Sequence, residues 1–379
     1  MSAPASSILP NFYIGLMSGT SLDSIDAVIV RIEDKQFKLV SSLEYTIPEI
    51  LRQQLIDLCQ PGNNEIDRMG AADRALGKEF AKAVKALLEQ SGRTKSNIMA
   101  IGSHGQTIRH RPYGDKPSGE SNFTLQIADP NTIAFETGIN TVADFRRRDI
   151  AAGGQGAPLA PAFHKAAFSS SKHNRAIINI GGMANITYLG SDGSSLGFDT
   201  GPGNILMDSW IQKILNKKYD HHGNWAASGM VNKALLSQLL NHPYFEKSVP
   251  KSTGREDFND EWLEKTLSGK NLKTEDIQAT LLEFTAKTIS NTIGTLPQTV
   301  NEVYICGGGA YNTQLILRLG KLLSPRLVAN TEQLGIPAQW VEGVAFAWLA
   351  KQTMERKPGN LTSVTGASEA VILGAIYQA

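Results

Sequence analysis

Short apolar runs that break off in small polar residues recur along the chain. Phe12-Tyr13-Ile14-Gly15-Leu16-Met17 gives way to Ser18-Gly19-Thr20-Ser21-Leu22-Asp23. The run reads as a buried strand, and the loop leaves backbone N–H groups free to cradle an anion. Residues 25–32 and 37–45 continue as strands of an antiparallel meander. From 65 to 88 the period changes. Met69, Ala72, Leu76, Phe80, Val84 and Leu87 recur at three- and four-residue spacing and predict an amphipathic helix. Strands predicted at 98–101, 123–127 and 140–143 each run into a polar loop: Ser103-His104-Gly105-Gln106-Thr107, Ala128-Asp129-Pro130 and Asp144-Phe145-Arg146-Arg147-Arg148-Asp149. In α/β sheets, ligands bind beyond the carboxyl ends of the strands.

The small-residue stretch 151–158 interrupts this pattern and is the candidate hinge. Beyond it, residues 176–188 repeat the opening layout of strand, turn (Gly181-Gly182) and strand. Helices are predicted near 205–215, 231–240 and 275–295. A third strand and glycine turn, Val303 through Gly307-Gly308-Gly309, enters a helix carrying Leu315, Ile316 and Leu319. A chain of 379 residues is long enough for two domains. With 37 Lys plus Arg against 36 Asp plus Glu, the net charge of +1 argues against nucleic acid or an anionic membrane as the main partner. No signal peptide or bilayer-length apolar run is read. Cys59 and Cys306 sit in apolar segments as small buried hydrophobes, so a reducing compartment, the cytoplasm, is expected.

The Gly-Lys pairs (Gly77-Lys78, Gly269-Lys270 and Gly320-Lys321) are not followed by Ser or Thr, so no Walker loop is present. Three separate strand–turn units imply another design, in which two loops grip phosphates and a third approaches the base. At this point the chain resembles the anhydro-N-acetylmuramic acid kinases, part of the actin, heat-shock chaperone and sugar-kinase superfamily. The motifs that carry the resemblance run almost end to end: residues 15–23, 103–107, 143–149, Gly153-Gly154-Gln155-Gly156-Ala157-Pro158, 179–182, Gly197-Phe198-Asp199-Thr200-Gly201-Pro202-Gly203-Asn204, Lys251-Ser252-Thr253-Gly254-Arg255-Glu256 and 363–367.

The resemblance implies an α/β fold of two ribonuclease-H-like, actin-like ATPase domains with mixed sheets flanked by helices around a central cleft. The expected division is 1–145 plus about 365–379 for one domain and 146–364 for the other. It also implies ATP with Mg²⁺, and a cytoplasmic role in cell-wall recycling. The family opens the 1,6-anhydro ring with water and phosphorylates the freed 6-oxygen. The expected partner is a small anhydro amino sugar, with a homodimer left open. The alternatives are a plain hexose-type kinase without ring opening, and an ATP-switched chaperone or filament protein of the same fold.

Asp199, at a predicted strand end and at the position of the family's catalytic aspartate, is the expected general base. Glu342 matches a family carboxylate near the sugar. Ser18, Gly19, Thr20, Ser21, Gly181 and Gly182 are expected at the phosphates, and Gly307, Gly308 and Gly309 near the adenosine. Asp23, with Asp26 as the second choice, is expected beside the metal. His104, Gln106 and Thr107 offer groups for sugar substituents. Among Arg146, Arg147 and Arg148, read as an extended segment, the family match points to Arg148 for the lactyl carboxylate. Asn204 is the expected cap of the helix it precedes, and segment 251–255 superficially suggests a phosphate clamp but suits a structural loop equally well. Where the family usually has Gly after the loop's Asp, this chain has Ser24. A positive φ there would cost about 1 kcal/mol.

Overall fold

The structure, a computed structural model, describes residues 11–19, 22–34, 36–112, 122–249 and 251–379. The chain forms two compact units, Met1–Ala167 with Glu342–Ala379, and Phe168–Val341. The junctions fall at 167/168 and 341/342 rather than near 145 and 365. Segment 151–158 lies inside the first unit and is not the junction.

The first unit is built on a mixed sheet. From edge to edge its strands are Ala375–Tyr377, Thr141–Ala143, Ile98–Ser103, Phe12–Met17, Ser24–Glu33 and Gln36–Thr46. Phe12–Met17, Ser24–Glu33 and Gln36–Thr46 form the expected antiparallel meander, while Ile98–Ser103 and Thr141–Ala143 add in parallel. Ile25 and residues 27–30 are fully buried, as befits a strand covered on both faces. The helix Glu65–Ser91 lays its periodic stripe of Ala72, Leu76, Phe80, Val84 and Leu87 into the core and ends at Gly92, whose φ of 64° closes it. Helix Glu49–Leu58 was not predicted. It buries Leu51, Leu55 and Leu58 against the same core.

On the other face, the helix Val341–Met354 comes very close to the sheet. A Cβ on Gly15 would stand 1.8 Å from the Gly343 carbonyl oxygen, and one on Gly102 would stand 2.0 Å from that of Phe346. Phe123–Ile127 is not a third strand of the main sheet. It pairs with Gln106–Arg111 in a separate two-stranded ribbon.

The second unit repeats the plan: Ser195–Pro202, Met183–Leu189, Arg175–Ile180, Glu302–Cys306 and Leu327–Asn330. Its first three strands in sequence form an antiparallel meander, and the last two add in parallel. Helices Ile205–Leu215, Thr274–Gly294 and Thr313–Leu323 bury apolar stripes close to the predicted ones. Both units are therefore mixed α/β layers with sheets flanked by helices. No helix among the described residues is long and apolar enough to cross a membrane.

Candidate functional site

In the first unit, the loop after Phe12–Met17 carries Ser18, whose hydroxyl is buried without a hydrogen-bond partner among the described residues. Gly19 follows in open space. Thr20 and Ser21 lie outside the described residues. The positive φ falls on Leu22, at 59°. Ser24 is not among the positive-φ residues and opens its strand opposite Thr46, so its replacement of Gly stores no strain.

Asp26 sits between Met17 and Glu44 in the strand register. Burial first, then Glu44, Glu342 and Asp23, push its carboxyl up to about 7. Glu342, the second residue of Val341–Met354, is thus brought near Asp26 by the close seating of that helix. Among the described residues no group of three His, Cys, Asp or Glu could hold a metal alone. Mg²⁺ does not ask for such a cage, since it commonly binds through one or two carboxylates and substrate phosphates.

The loop after Ile98–Ser103 is clamped by side chains. His104 has both ring nitrogens engaged: Nδ1 donates to the Gly105 carbonyl at 2.9 Å, and Nε2 accepts from Arg146 at 2.8 and 3.2 Å. Burial and the Arg146 guanidinium push its pKa well below the ordinary value, so the ring is neutral. It offers no spare group to a sugar hydroxyl. The Gln106 amide donates to the Thr107 carbonyl, Thr107 Oγ1 accepts from Gln126, and Gln106 Oε1 is buried without a partner among the described residues. A cavity of about 270 Å³ lies beside them, lined in part by Ser103, His104, Gly105, Gln126, Asp144 and Arg147.

The arginine run is not extended, because Arg147–Ala151 is a short helix. Arg146 turns inward to His104 and to the Gly156 carbonyl at 2.8 Å, Arg147 pairs with Asp144, and Arg148 is exposed. Sequence reasoning weighed Arg146 only as one of three candidates for the substrate carboxylate and gave Asp149 no part in holding the loops. Asp149, fully buried, accepts from Gly156 N, Asn360 Nδ2 and Thr365 Oγ1 at 2.7–2.8 Å. It ties together two motifs, 153–158 and 363–367, that had been read separately. Their common wealth of small polar residues was the available signal.

In the second unit, glycines do the corresponding work. The Gly181-Gly182 turn accepts from Gly203 N, Asn204 N and Ile205 N at 2.8–3.2 Å. A Cβ on Gly203 would stand 2.3 Å from the Gly181 carbonyl oxygen. Gly307, at φ 77°, and Gly309 pack against Asn179 and Ile180, so the two turns meet. Asn204 occupies the N-cap position of its helix, but its side chain makes no capping hydrogen bond. Its amide donates to the Ile180 carbonyl at 3.4 Å.

Asp199 stands at an irregularity of strand pairing, where Thr200 is the extra residue and Gly201 takes φ 133°. Such bulges re-aim side chains beside functional sites. Its Oδ2 accepts from Thr253 N at 3.0 Å. Burial raises its pKa to about 6, with Glu256 adding and the Thr253 bond opposing.

A family profile described as anhydro-N-acetylmuramic acid kinase matches residues 11–379. The chain belongs to this family. Curated members include one from Shewanella pealeana, 54% identical over 97% of this chain and 99% of its own. Another, from Coxiella burnetii, is 53% identical over 96% and 97%. Family membership over this length makes the protein an enzyme, a kinase, and a phosphotransferase of amino-sugar metabolism.

Proposed function

We propose that this kinase opens the 1,6-anhydro ring of 1,6-anhydro-N-acetylmuramic acid with water and phosphorylates O6 at the expense of ATP, giving N-acetylmuramate 6-phosphate and ADP. Water adds at the anomeric carbon and gives a proton to Asp199. The bond from that carbon to O6 breaks, and O6 takes the γ-phosphoryl group. The observation that carries the reading is Asp199 itself. One of its oxygens is tied to Thr253 N, and among the described residues the other has no hydrogen-bond donor. Its pKa of about 6 leaves it ionised at neutral pH yet more basic than an ordinary carboxylate.

Glu342 is the second carboxylate assigned to the sugar. Ser18, Gly19, Thr20 and Ser21, with Gly181 and Gly182, hold the phosphates, and residues 307–309 hold the adenosine. Asp23, with Asp26 as the second choice, would hold Mg²⁺ beside the nucleotide phosphates. Burial and then repulsion from neighbouring carboxylates raise Asp26, and a divalent cation there would relieve the repulsion. The ion supplies neutralisation of phosphate charge. Arg148 takes the lactyl carboxylate. The work is cytoplasmic.

The test is turnover in ¹⁸O-labelled water with a coupled ADP assay. Label at the anomeric position and ADP release dependent on the anhydrosugar are expected. Unlabelled product would leave a plain sugar kinase, and ADP release without sugar would leave a nucleotide switch.

A further inference from the structure

Residues 251–258 bind to Asp199 at two points, although sequence reasoning gave them no part in the chemistry. Asp199 N donates to the Lys251 carbonyl at 3.0 Å, and Thr253 N donates to Asp199 Oδ2 at 3.0 Å. Tyr244 Oη donates to the Asp199 carbonyl at 2.7 Å. Lys251 Nζ holds the Tyr244 and Phe245 carbonyls, each at 3.2 Å, with its ammonium 4.7 Å from the Tyr244 ring centre. Thr253 Oγ1 donates to Asp257 Oδ2 at 2.7 Å. Gly254 accepts from the N–H groups of Asp257 and Phe258, which folds the segment into a turn. Phe258, fully buried, then anchors it among His242, Tyr244, Phe245, Trp262 and Phe284.

We propose that residues 251–258 are a strap that positions the Asp199 carboxylate and sets its basicity, with the Thr253–Asp257 hydrogen bond as the clip that keeps the Thr253 N–H aimed at Oδ2. This rests on the reading of Asp199 as the base. The charged and titratable groups around Asp199 are Lys251, Glu256 and Asp257 on the strap, and His242, Tyr244 and Lys247 on the segment packed against it. Beside burial, which raises its pKa most, the strap acts on the carboxylate in two opposite senses. The Thr253 N–H favours the ionised form, and Glu256, exposed at the turn, disfavours it by like charge. A structural loop would need neither effect, and a clip explains why a hydroxyl and a carboxylate are spent two and six residues from Lys251.

The experiment is the pH profile of kcat/KM with the anhydrosugar and Mg-ATP. Thr253→Val keeps the N–H but removes the clip. The acid limb is expected to move up by about half a unit or more, with kcat at neutral pH down roughly tenfold and the KM for ATP unchanged. Thr253→Ser restores both. Glu256→Gln, at an exposed site that folding does not depend on, moves the limb down. An unchanged limb in both Thr253→Val and Glu256→Gln overturns the proposal, as does Thr253→Ser failing like Thr253→Val. Should Thr253→Val not fold, Glu256→Gln alone decides, an unmoved limb being fatal. Asp199→Asn with wild-type turnover would instead remove the base assignment.

Discussion

The two units share one sheet plan, a three-stranded antiparallel meander extended by two parallel strands, yet they hold their loops by different means. In the first unit the loops are held by side chains: Arg146 across His104 and Gly156, and Asp149 across Gly156, Asn360 and Thr365. In the second they are held by backbone brought close where a Cβ is missing, at Gly203, Gly307 and Gly309. The turn lengths follow. Six residues, 18–23, join the first meander's opening strands, and only Gly181 and Gly182 join the second's. A long loop can offer hydroxyls and a carboxylate to a ligand. A two-residue turn can offer only backbone and must be fixed from outside. The same topology therefore tolerates very different mutations in its two copies.

The largest effect is expected at the carboxylate that the second unit's bulge presents. Asp199→Asn should lower kcat by roughly 10²- to 10⁴-fold with nucleotide binding kept. Asn keeps an oxygen for the Thr253 N–H, so the fold gains. The folded pKa of about 6 lies above the ordinary carboxylate value of 3.8, so the wild-type group favours folding below the unfolded value. That benefit is lost as pH rises through about 6. Asp199→Asn should therefore be more stable than wild type at pH 8, by on the order of 1 kcal/mol, and lose that advantage near pH 4. Thermal melts at the two pH values check the sign. A variant less stable at pH 8 would mean that the carboxylate is not held in the buried setting described.

Next is Gly203→Ala, which aims at the close approach itself. The new methyl would meet the Gly181 carbonyl oxygen at 2.3 Å, with backbone on both sides and no flexible side chain to yield. About 1–3 kcal/mol of stability should be lost. ADP affinity, measured by calorimetry, should fall at least tenfold because the Gly181-Gly182 turn is displaced. Normal affinity would separate that turn from the phosphates.

In the first unit the corresponding break is Arg146→Ala, which leaves His104 Nε2 and the Gly156 carbonyl without their donor. A loss of about 1–3 kcal/mol is expected. Arg148→Ala, at an exposed side chain, should leave the melting temperature within experimental error and raise the KM for the sugar. If Arg146→Ala alone raised that KM, the substrate carboxylate would belong to Arg146.

This pair also shows what sequence could convey. Period and turn chemistry gave the first meander, the helix over 65–88 and the recurrence of strand, turn and strand, because each is a local pattern written in neighbouring residues. An extended reading of Arg146 to Arg148 failed because the short helix Arg147–Ala151 depends on distant contacts. Asp149 reaches Asn360 and Thr365, more than two hundred residues away. The Phe123–Ile127 strand was recognised as a strand, but its pairing with Gln106–Arg111 was not, since alternation says which residues are extended and not which neighbour they find. The strap over Asp199 was missed for the same reason: Thr253 donates a backbone N–H, a group every residue but proline carries.

The smallest effect closes the comparison. Gly19, in the long loop of the first unit, has nothing within 4 Å of an added Cβ and no positive φ. Gly19→Ala should change stability by less than about 0.5 kcal/mol. If the loop holds phosphate through backbone N–H groups, the methyl intrudes only when nucleotide is bound. ADP affinity should then fall several-fold while the melting temperature of the free protein stays put. Gly203→Ala should move both together. Loss of both in Gly19→Ala would show that this glycine, too, is needed for packing, and the contrast between the two units would fail at its opening turn.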